Sequence, residues 1–248
     1  MSGDTERQAI LRDRLIKNAG GVGVEKNRYI SKILSILKPD IKLLDIGCGT
    51  AHIIQTLALN FKSAFFVGLD ISPGMLKVAQ GNTMELSNTI LVQGDGLRLP
   101  FPECSFDTVI TRLAEYSPQG AYRILKKGGH FFEYGLGPEA DKEIVEFFSD
   151  RLEQENFCFP KNLKEWKKEV CENIEDTGFA ISSIEDYKTM ENYQSEDDLM
   201  DVIEMVPLVK NFNREKDRAI INRLAEKYQD KKGIKTTWHY YIIKARRL

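Results

Sequence analysis

The sequence predicts an α/β fold built on an open, mostly parallel sheet, wound with helices on both faces, and three observations carry that prediction. Short apolar runs alternate with helix-spaced segments from Ile41 to Tyr134. Asp45, Asp70 and Asp95 follow one another at intervals of 25 residues, one strand–helix unit each. Each lies at or near the end of an apolar run. Three carboxylates therefore share one edge of three neighbouring strands, the edge at which an open parallel sheet receives its ligand.

The elements follow in order. Asp4–Asn18 and Glu25–Lys38 carry apolar residues at helical spacing, Ile10, Leu11, Leu15 and Ile16 in the first and Ile30, Ile33, Leu34 and Leu37 in the second. Gly20, Gly21 and Gly23 form a flexible joint between them, on which the first helix could close. Pro39-Asp40 stops the second helix, and Ile41–Ile46 is a buried strand running into Gly47-Cys48-Gly49. Thr50–Phe61 is a helix, Ala64–Leu69 a strand, and Ser72-Pro73 a helix start with serine as N-cap and proline in the first helical position. Strands at Thr89–Gln93 and Phe106–Thr111 precede a short helix at Pro118–Lys126, a turn at Gly128-Gly129 and a strand at His130–Tyr134. Helices over Glu139–Glu155 and Asn162–Thr177 lead to a strand at Phe179–Tyr187. The acid-rich 191–204 segment and Asn213–Tyr228 are helical, interrupted at Pro207, and Lys235–Ala245 is a closing strand.

Composition narrows the function. The 248 residues are 42% hydrophobic and 29% charged, which describes a globular chain and excludes collagen-like, disulfide-scaffold and disordered classes. Lys+Arg 35 against Asp+Glu 37 gives a net charge of −2, so any attraction to nucleic acid has to be local. No apolar run approaches a bilayer span and the first residues lack a signal-peptide layout, so a cytoplasmic location is expected. Cys48, Cys104, Cys158 and Cys171 are too scattered for zinc or a disulfide framework and are expected as reduced thiols, with no metal.

Gly47-Cys48-Gly49 sits between a strand and a helix N-terminus, where missing Cβ atoms let a ligand lie on the backbone. A dinucleotide fingerprint requires glycine at position 52, which is His52. Asp45, two residues before the first glycine, suits a cationic ligand better than a pyrophosphate.

In chain order, Asp45-x-Gly47-x-Gly49, Gly68-Leu69-Asp70-Ile71-Ser72, Gln93-Gly94-Asp95-Gly96, Phe106-Asp107-Thr108-Val109-Ile110 and Leu125-Lys126-Lys127-Gly128-Gly129 resemble the motifs of class I S-adenosylmethionine-dependent methyltransferases. The layout is similar to the quinone-biosynthesis type. The resemblance implies a Rossmann-like, doubly wound sheet of seven strands, mostly parallel with an antiparallel last strand. It would comprise residues 41–190 and 232–248, with an N-terminal helical lid over 1–40 and a helical insertion at 191–231 before the last strand.

It also implies S-adenosylmethionine as cofactor and a role for each matched residue. Gly47 and Gly49 would underlie the methionyl and ribosyl parts with Cys48 as a small filler between them, and Asp45 would face the cationic side. Asp70 would take both ribose hydroxyls, with Ile71 on one face of the adenine and Met75 a candidate for the other. Asp95 would accept from the adenine amine beside the backbone of Gly96 and Leu97, while Thr111 and Arg112 flank the reactive methyl. His52 is expected either at the cofactor carboxylate or in solvent, and Asp107 and His130, which begin strands, are expected to be structural. Two departures stand out: Ala51 replaces the third motif glycine, and the link Leu113–Gly129 is short, which leaves that side of the pocket open or closed by something else.

An antiparallel last strand would begin at the same edge, so His239, Glu115, Tyr116 and Tyr134 are expected to line the acceptor pocket, with His239 or Glu115 as base where the nucleophile must lose a proton. The expected function is methyl transfer to an O, N or C nucleophile of a small molecule. One alternative is an RNA methyltransferase of the ribosomal guanine type, suggested by Lys231, Lys232, Lys235, Lys244, Arg246 and Arg247 and by Met205-Val206-Pro207-Leu208, which weakly resembles that group. Such relatives carry an N-terminal zinc module that this sequence lacks. The other alternative is an S-adenosylmethionine-binding protein without catalysis.

Overall fold

A computed structural model describes residues 6–18, 24–152, 162–206 and 208–248. The expected glycine joint at Gly20–Gly23, residues 153–155 of the expected Glu139–Glu155 helix, Cys158 and Pro207 lie outside the described residues; within them that helix is shorter than expected, Lys142–Phe147 only. Two compact units emerge. Unit 1 is Met1–Gly135, Val170–Glu185 and Ile242–Leu248, and unit 2 is Leu136–Glu169 and Asp186–Tyr241.

Unit 1 opens with helices α1 (Glu6–Asn18) and α2 (Val24–Leu34). It continues through β1 (Lys42–Ile46), α3 (His52–Asn60), β2 (Phe65–Asp70), α4 (Pro73–Thr83), β3 (Thr89–Gln93), β4 (Phe106–Arg112), α5 (Pro118–Ile124) and β5 (Leu125–Leu136). Strands β1 to β5 are parallel in the order β3-β2-β1-β4-β5. The unit-1 parts of β8 (Gly233–Arg247) and β6 (Phe179–Tyr193) complete the order β5-β8-β6. Leu43, Leu44, Ile46, Phe66, Leu69, Val109, Ile110, Phe131 and Phe132 are buried, which is why the central strands read as unbroken apolar runs: both faces are covered. β8 runs against β5. Gly137 N–H donates to His239 O at 2.8 Å in unit 2, and in unit 1 Arg246 donates to Gly128 O at 3.3 Å, so one chain rises as the other falls.

The chain leaves β3 at one edge and returns as β4 on the far side of β1. This reversal places the switch point of the sheet at the carboxyl ends of β1 and β4, the position at which open α/β sheets take ligands. Ser72 caps α4 by accepting from Met75 N–H at 3.2 Å, with Pro73 first in the helix, as the sequence predicts.

Unit 2 contains α6 (Lys142–Phe147), the start of α7 (Leu163–Glu175), α8 (Glu196–Met205), α9 (Arg218–Tyr228), β7 (Gln229–Asp230) and the remaining parts of β6 and β8. Its core joins Ile144, Phe148, Leu199, Met200, Ile203, Ile221 and Leu224. The acid-rich segment begins α8. Ser195 Oγ accepts from Asp198 N–H at 3.1 Å, and Glu196, Asp197 and Asp198 face the positive end of the helix dipole.

Several boundaries differ from the sequence reading, each for a local reason. Gly128-Gly129 is not a turn before a strand but part of an irregularity inside β5, where the register against β4 shifts between Phe106 and Thr108. β6 runs to Tyr193 instead of Tyr187, because its polar outer part follows no apolar alternation. α9 starts at Arg218 instead of Asn213: Asn213 Oδ1 accepts from the N–H groups of Glu215 and Lys216, and Asp217 accepts from Asn213 N–H, which holds 213–217 in a turn. The two-residue strand β7, absent from the sequence reading, brings the sheet to eight strands.

Candidate functional site

Asp45 lies one residue from the end of β1, paired with Gly68 on one side and Ile110 on the other. Asp70 ends β2 opposite Gln93, and Asp95 follows β3 by two residues. The three carboxylates thus stand at the carboxyl edge of unit 1, on the strand ends that the 25-residue spacing indicated.

The turn after β1 satisfies its own backbone. Gly47 and Cys48 N–H both donate to Leu69 O, at 2.8 and 3.0 Å, and Gly49 N–H donates to Asp70 Oδ2 at 2.8 Å. A phosphate seeks free N–H groups of this kind, and here they are spent on β2. Gly47 has φ +72°, and a Cβ on it would collide with Ala114; a Cβ on Gly96 would strike the Glu115 carbonyl. The segment after β4 therefore lies against both glycines. This is the close approach that demands them, and Ala114 is the residue that sequence reasoning missed. Gly49, at φ +54°, faces open space. Cys48 Sγ sits 2.9 Å from where a Gly68 Cβ would be, and burial, reinforced by Asp45 and Asp70, pushes the thiol well above its ordinary pKa. It fills space and stays protonated.

Asp45 is buried, and that burial raises its carboxyl to about 8; Arg112 pulls it down and Asp70 pushes it further up. Asp70 Oδ1 accepts from Ser72 N–H at 2.9 Å, so each Asp70 oxygen makes one backbone contact and keeps capacity for a second. Asp95 Oδ1 accepts from Leu97 N–H at 2.9 Å, which leaves Oδ2 as an acceptor. Ile71 is 57% exposed and Leu97 52%, two bare apolar side chains flanking these carboxylates, whereas Met75 is buried. Thr111 is buried and its hydroxyl has no partner among the described residues. His52 is held by Asp13 of α1 at 2.8 Å, and Asp107 ties Lys42 N–H and Lys126 to the opposite edge.

This edge therefore offers spare acceptor capacity at Asp70 and Asp95, a buried carboxyl at Asp45, exposed apolar flanks and an open backbone position at Gly49. Such a cradle fits a nucleoside with free hydroxyls, an amine-bearing ring and a cationic group, and it offers little to a pyrophosphate.

The acceptor candidates are placed differently from one another. Glu115 is exposed, and Tyr116 donates to Glu133 Oε2 at 2.7 Å. Tyr134 is buried, edge-on to Tyr29 at 5.7 Å between ring centroids, with the Arg112 guanidinium 5.3 Å over its ring. Tyr29, on α2, was not foreseen; its hydroxyl donates to Thr111 O at 2.9 Å and to Phe132 O at 3.2 Å. No local pattern marks it, since its partners are backbone carbonyls of strands distant in sequence.

His239 belongs to unit 2 and is 0% exposed. Its Nδ1 accepts from Glu139 N–H at 3.1 Å, so the neutral ring carries its proton on Nε2. Nε2 has no hydrogen-bond partner among the described residues and lies 3.7 Å from Asp186 Oδ1, too far for a hydrogen bond. Burial lowers its pKa, with Asp186 opposing. In this state the buried Nε2 is a donor and the lone pair a base would use is already engaged.

Residues 43–129 match the family model described as a methyltransferase domain. A demethylmenaquinone methyltransferase of Staphylococcus carnosus is 39% identical over 103 residues, covering 38% of this chain and 42% of that protein. The chain spans less than half the length of the curated relatives of this kind that it matches first. Among solved structures, the Haemonchus contortus phosphoethanolamine N-methyltransferase 2 in complex with S-adenosyl-L-methionine has a TM-score of 0.59 at 21% identity, covering 98% of this chain and 57% of that one. The [4+2]-cyclase SpnF has a TM-score of 0.62 at 17% identity, covering 99% and 97%. At these identities the structures share the fold.

Proposed function

We propose that the segment 43–129, which matches a methyltransferase-domain family model, is of the class I, S-adenosylmethionine-dependent type, and that the protein transfers the methyl group of S-adenosylmethionine to an O, N or C nucleophile of a small-molecule acceptor. The observation that carries this reading is the turn after β1. It spends its N–H groups on Leu69 and Asp70 and stands beside the buried Asp45 carboxyl, whose ionised form a cationic nucleoside would favour.

In this reading Asp70 takes the ribose hydroxyls with the lone pairs its backbone contacts leave, and Ile71 covers one face of the adenine, with the buried Met75 supporting the other side. Asp95 Oδ2, with the backbone of Gly96 and Leu97, receives the adenine amine. Gly47, Cys48 and Gly49 form the floor, and Asp45, Thr111 and Arg112 stand toward the sulfonium side. The bound cofactor supplies an electrophilic methyl whose thioether leaves without protonation. The protein's own task is then to orient the nucleophile and exclude water. On the acceptor side we assign Glu115 as the exposed base candidate and Tyr116, oriented by Glu133, as a positioning residue.

A small-molecule acceptor is favoured over RNA by what the basic C-terminal residues do. Arg247 donates to the carbonyls of Tyr122 and Leu125, Arg246 donates to Gly128 O, and Lys244 sits 5.8 Å over the Phe132 ring. These three cations make contacts within unit 1, and Lys235 pairs with Asp230, which leaves a reduced basic surface for phosphates. The demethylmenaquinone relative and the quinone-type motif layout support the same direction. No described helix is long and apolar enough to cross a membrane, and a cytoplasmic location is part of the reading.

The test is incubation of the full chain with methyl-labelled S-adenosylmethionine, in parallel with a metabolite extract and with total RNA. Label entering the small-molecule fraction is expected. Label entering RNA alone, or neither pool, contradicts the reading.

A further inference from the structure

Methyl transfer in unit 1 makes no use of a group of buried acidic side chains in unit 2. Asp141 and Glu143, at the start of α6, are 7% and 4% exposed, and neither is paired with a cation among the described residues. Buried carboxylates normally find a counter-charge or protonate. Glu143 is at least hydrogen-bonded, accepting from Thr237 N–H and from the Thr237 hydroxyl, both at 2.7 Å. Asp141 is not so provided. It occupies the N-cap position of α6 without capping it, and its Oδ1 has no hydrogen-bond partner among the described residues.

A second orphan lies beside it. Thr236 on β8 is 0% exposed and its hydroxyl likewise has no partner among the described residues. That hydroxyl is close enough to Asp141 and Tyr193 to favour their ionised forms, yet completes a hydrogen bond with neither. The titratable groups facing Asp141 are Glu143 on α6 and Glu191 and Tyr193 on β6. Glu191 and Tyr193 are only half-buried. Burial raises the Asp141 carboxyl to about 7; Thr236 opposes this, and the charges of Glu143 and Glu191 add to it.

An acceptor and a hydroxyl left unsatisfied in an acidic setting beside a phenol ring call for a ligand that donates hydrogen bonds and carries positive charge. Among the described residues no three acidic, histidine or cysteine side chains converge to hold a metal ion, which points to an organic cation. We propose that Asp141 and Thr236, with Glu143 and Tyr193 around them, form a binding site in unit 2 for a small protonated amine, whose N–H groups donate to Asp141 Oδ1 and Thr236 Oγ1. The site lies beyond the methyl-transfer reading and stands independently of it.

The experiment is calorimetric titration of the full chain with methylammonium, ethylammonium and benzylammonium chlorides, with sodium chloride as the ionic control, at pH 6 and pH 8. At least one amine binds saturably, about tenfold more tightly at pH 8 than at pH 6, because only ionised Asp141 accepts it. Asp141→Asn weakens binding about tenfold or more at pH 8 and removes its pH dependence, whereas Thr236→Val weakens it and keeps that dependence. Absence of saturable binding for all three amines overturns the proposal, as do pH-independent affinity and unchanged affinity in Asp141→Asn. Should Asp141→Asn fail to fold, Thr236→Val decides: wild-type affinity in that variant also overturns it. Because no methyl donor is present, a failed methyl-transfer assay leaves this result unaffected.

Discussion

At Asp45 the demands of the fold and of the proposed cofactor meet in one carboxyl. Its carboxyl titrates at about 8 in the folded chain against an ordinary 3.8, chiefly through burial. The folded state therefore holds the proton more tightly than the unfolded chain, and this residue's contribution to stability falls as pH rises from about 4 to about 8, then levels. A cationic ligand reverses the preference, because it favours the ionised form. Asp45→Asn, which removes the ionisation, is expected to stabilise the free protein by on the order of 1–3 kcal/mol at pH 8 and by less at pH 5. The same variant should bind S-adenosylmethionine about tenfold more weakly. Urea unfolding at the two pH values, with a binding titration, checks both signs; equal stability changes at pH 5 and pH 8 would show that Asp45 is ionised in the free protein. At this scale the three aspartates and the glycine turn were legible in the sequence, because strand ends and turn glycines are local signals. The reason for glycine at Gly47 and Gly96 was not, because Ala114 and Glu115 reach them only through the fold. The tautomer of His239 was equally hidden, being set by the Glu139 N–H.

Among the elements, the parallel strands were the most legible. β3 and α4 fall where apolar runs and the Ser72-Pro73 cap place them, since their signals are continuous and sharply bounded. β6 was shortened in the sequence reading because a polar outer strand carries no alternation. The attachment of the N-terminal helices was invisible. α1 is fixed through Asp13, which contacts His52 and Asn82 at 2.8 Å each, and α2 through the Tyr29 hydroxyl. Tyr29 spans two carbonyls, one in each of two neighbouring strands, and thereby ties α2 to β4 and β5. Tyr29→Phe keeps the ring and removes the donor, so a loss of about 1–2 kcal/mol in unfolding free energy is expected. A urea midpoint identical to that of the wild type would show that the helix is held by packing alone.

For the whole molecule, the near-zero net charge conceals an uneven distribution. Unit 1 gathers carboxylates at the carboxyl edge and spends the terminal cations on its own carbonyls, while unit 2 buries two acids at the start of α6. In the proposed reading that distribution favours cationic small ligands over polyanions. The central claim is that the carboxyl edge of unit 1 binds S-adenosylmethionine through Asp70. The most direct measurement is calorimetric titration of S-adenosylhomocysteine into the full chain and into Asp70→Asn, which preserves the side-chain shape but halves its acceptor capacity. The wild type should bind saturably at one site, and Asp70→Asn about tenfold or more weakly with its fold intact by circular dichroism. Absence of binding to the wild type, or equal affinity in a folded Asp70→Asn, would contradict the account.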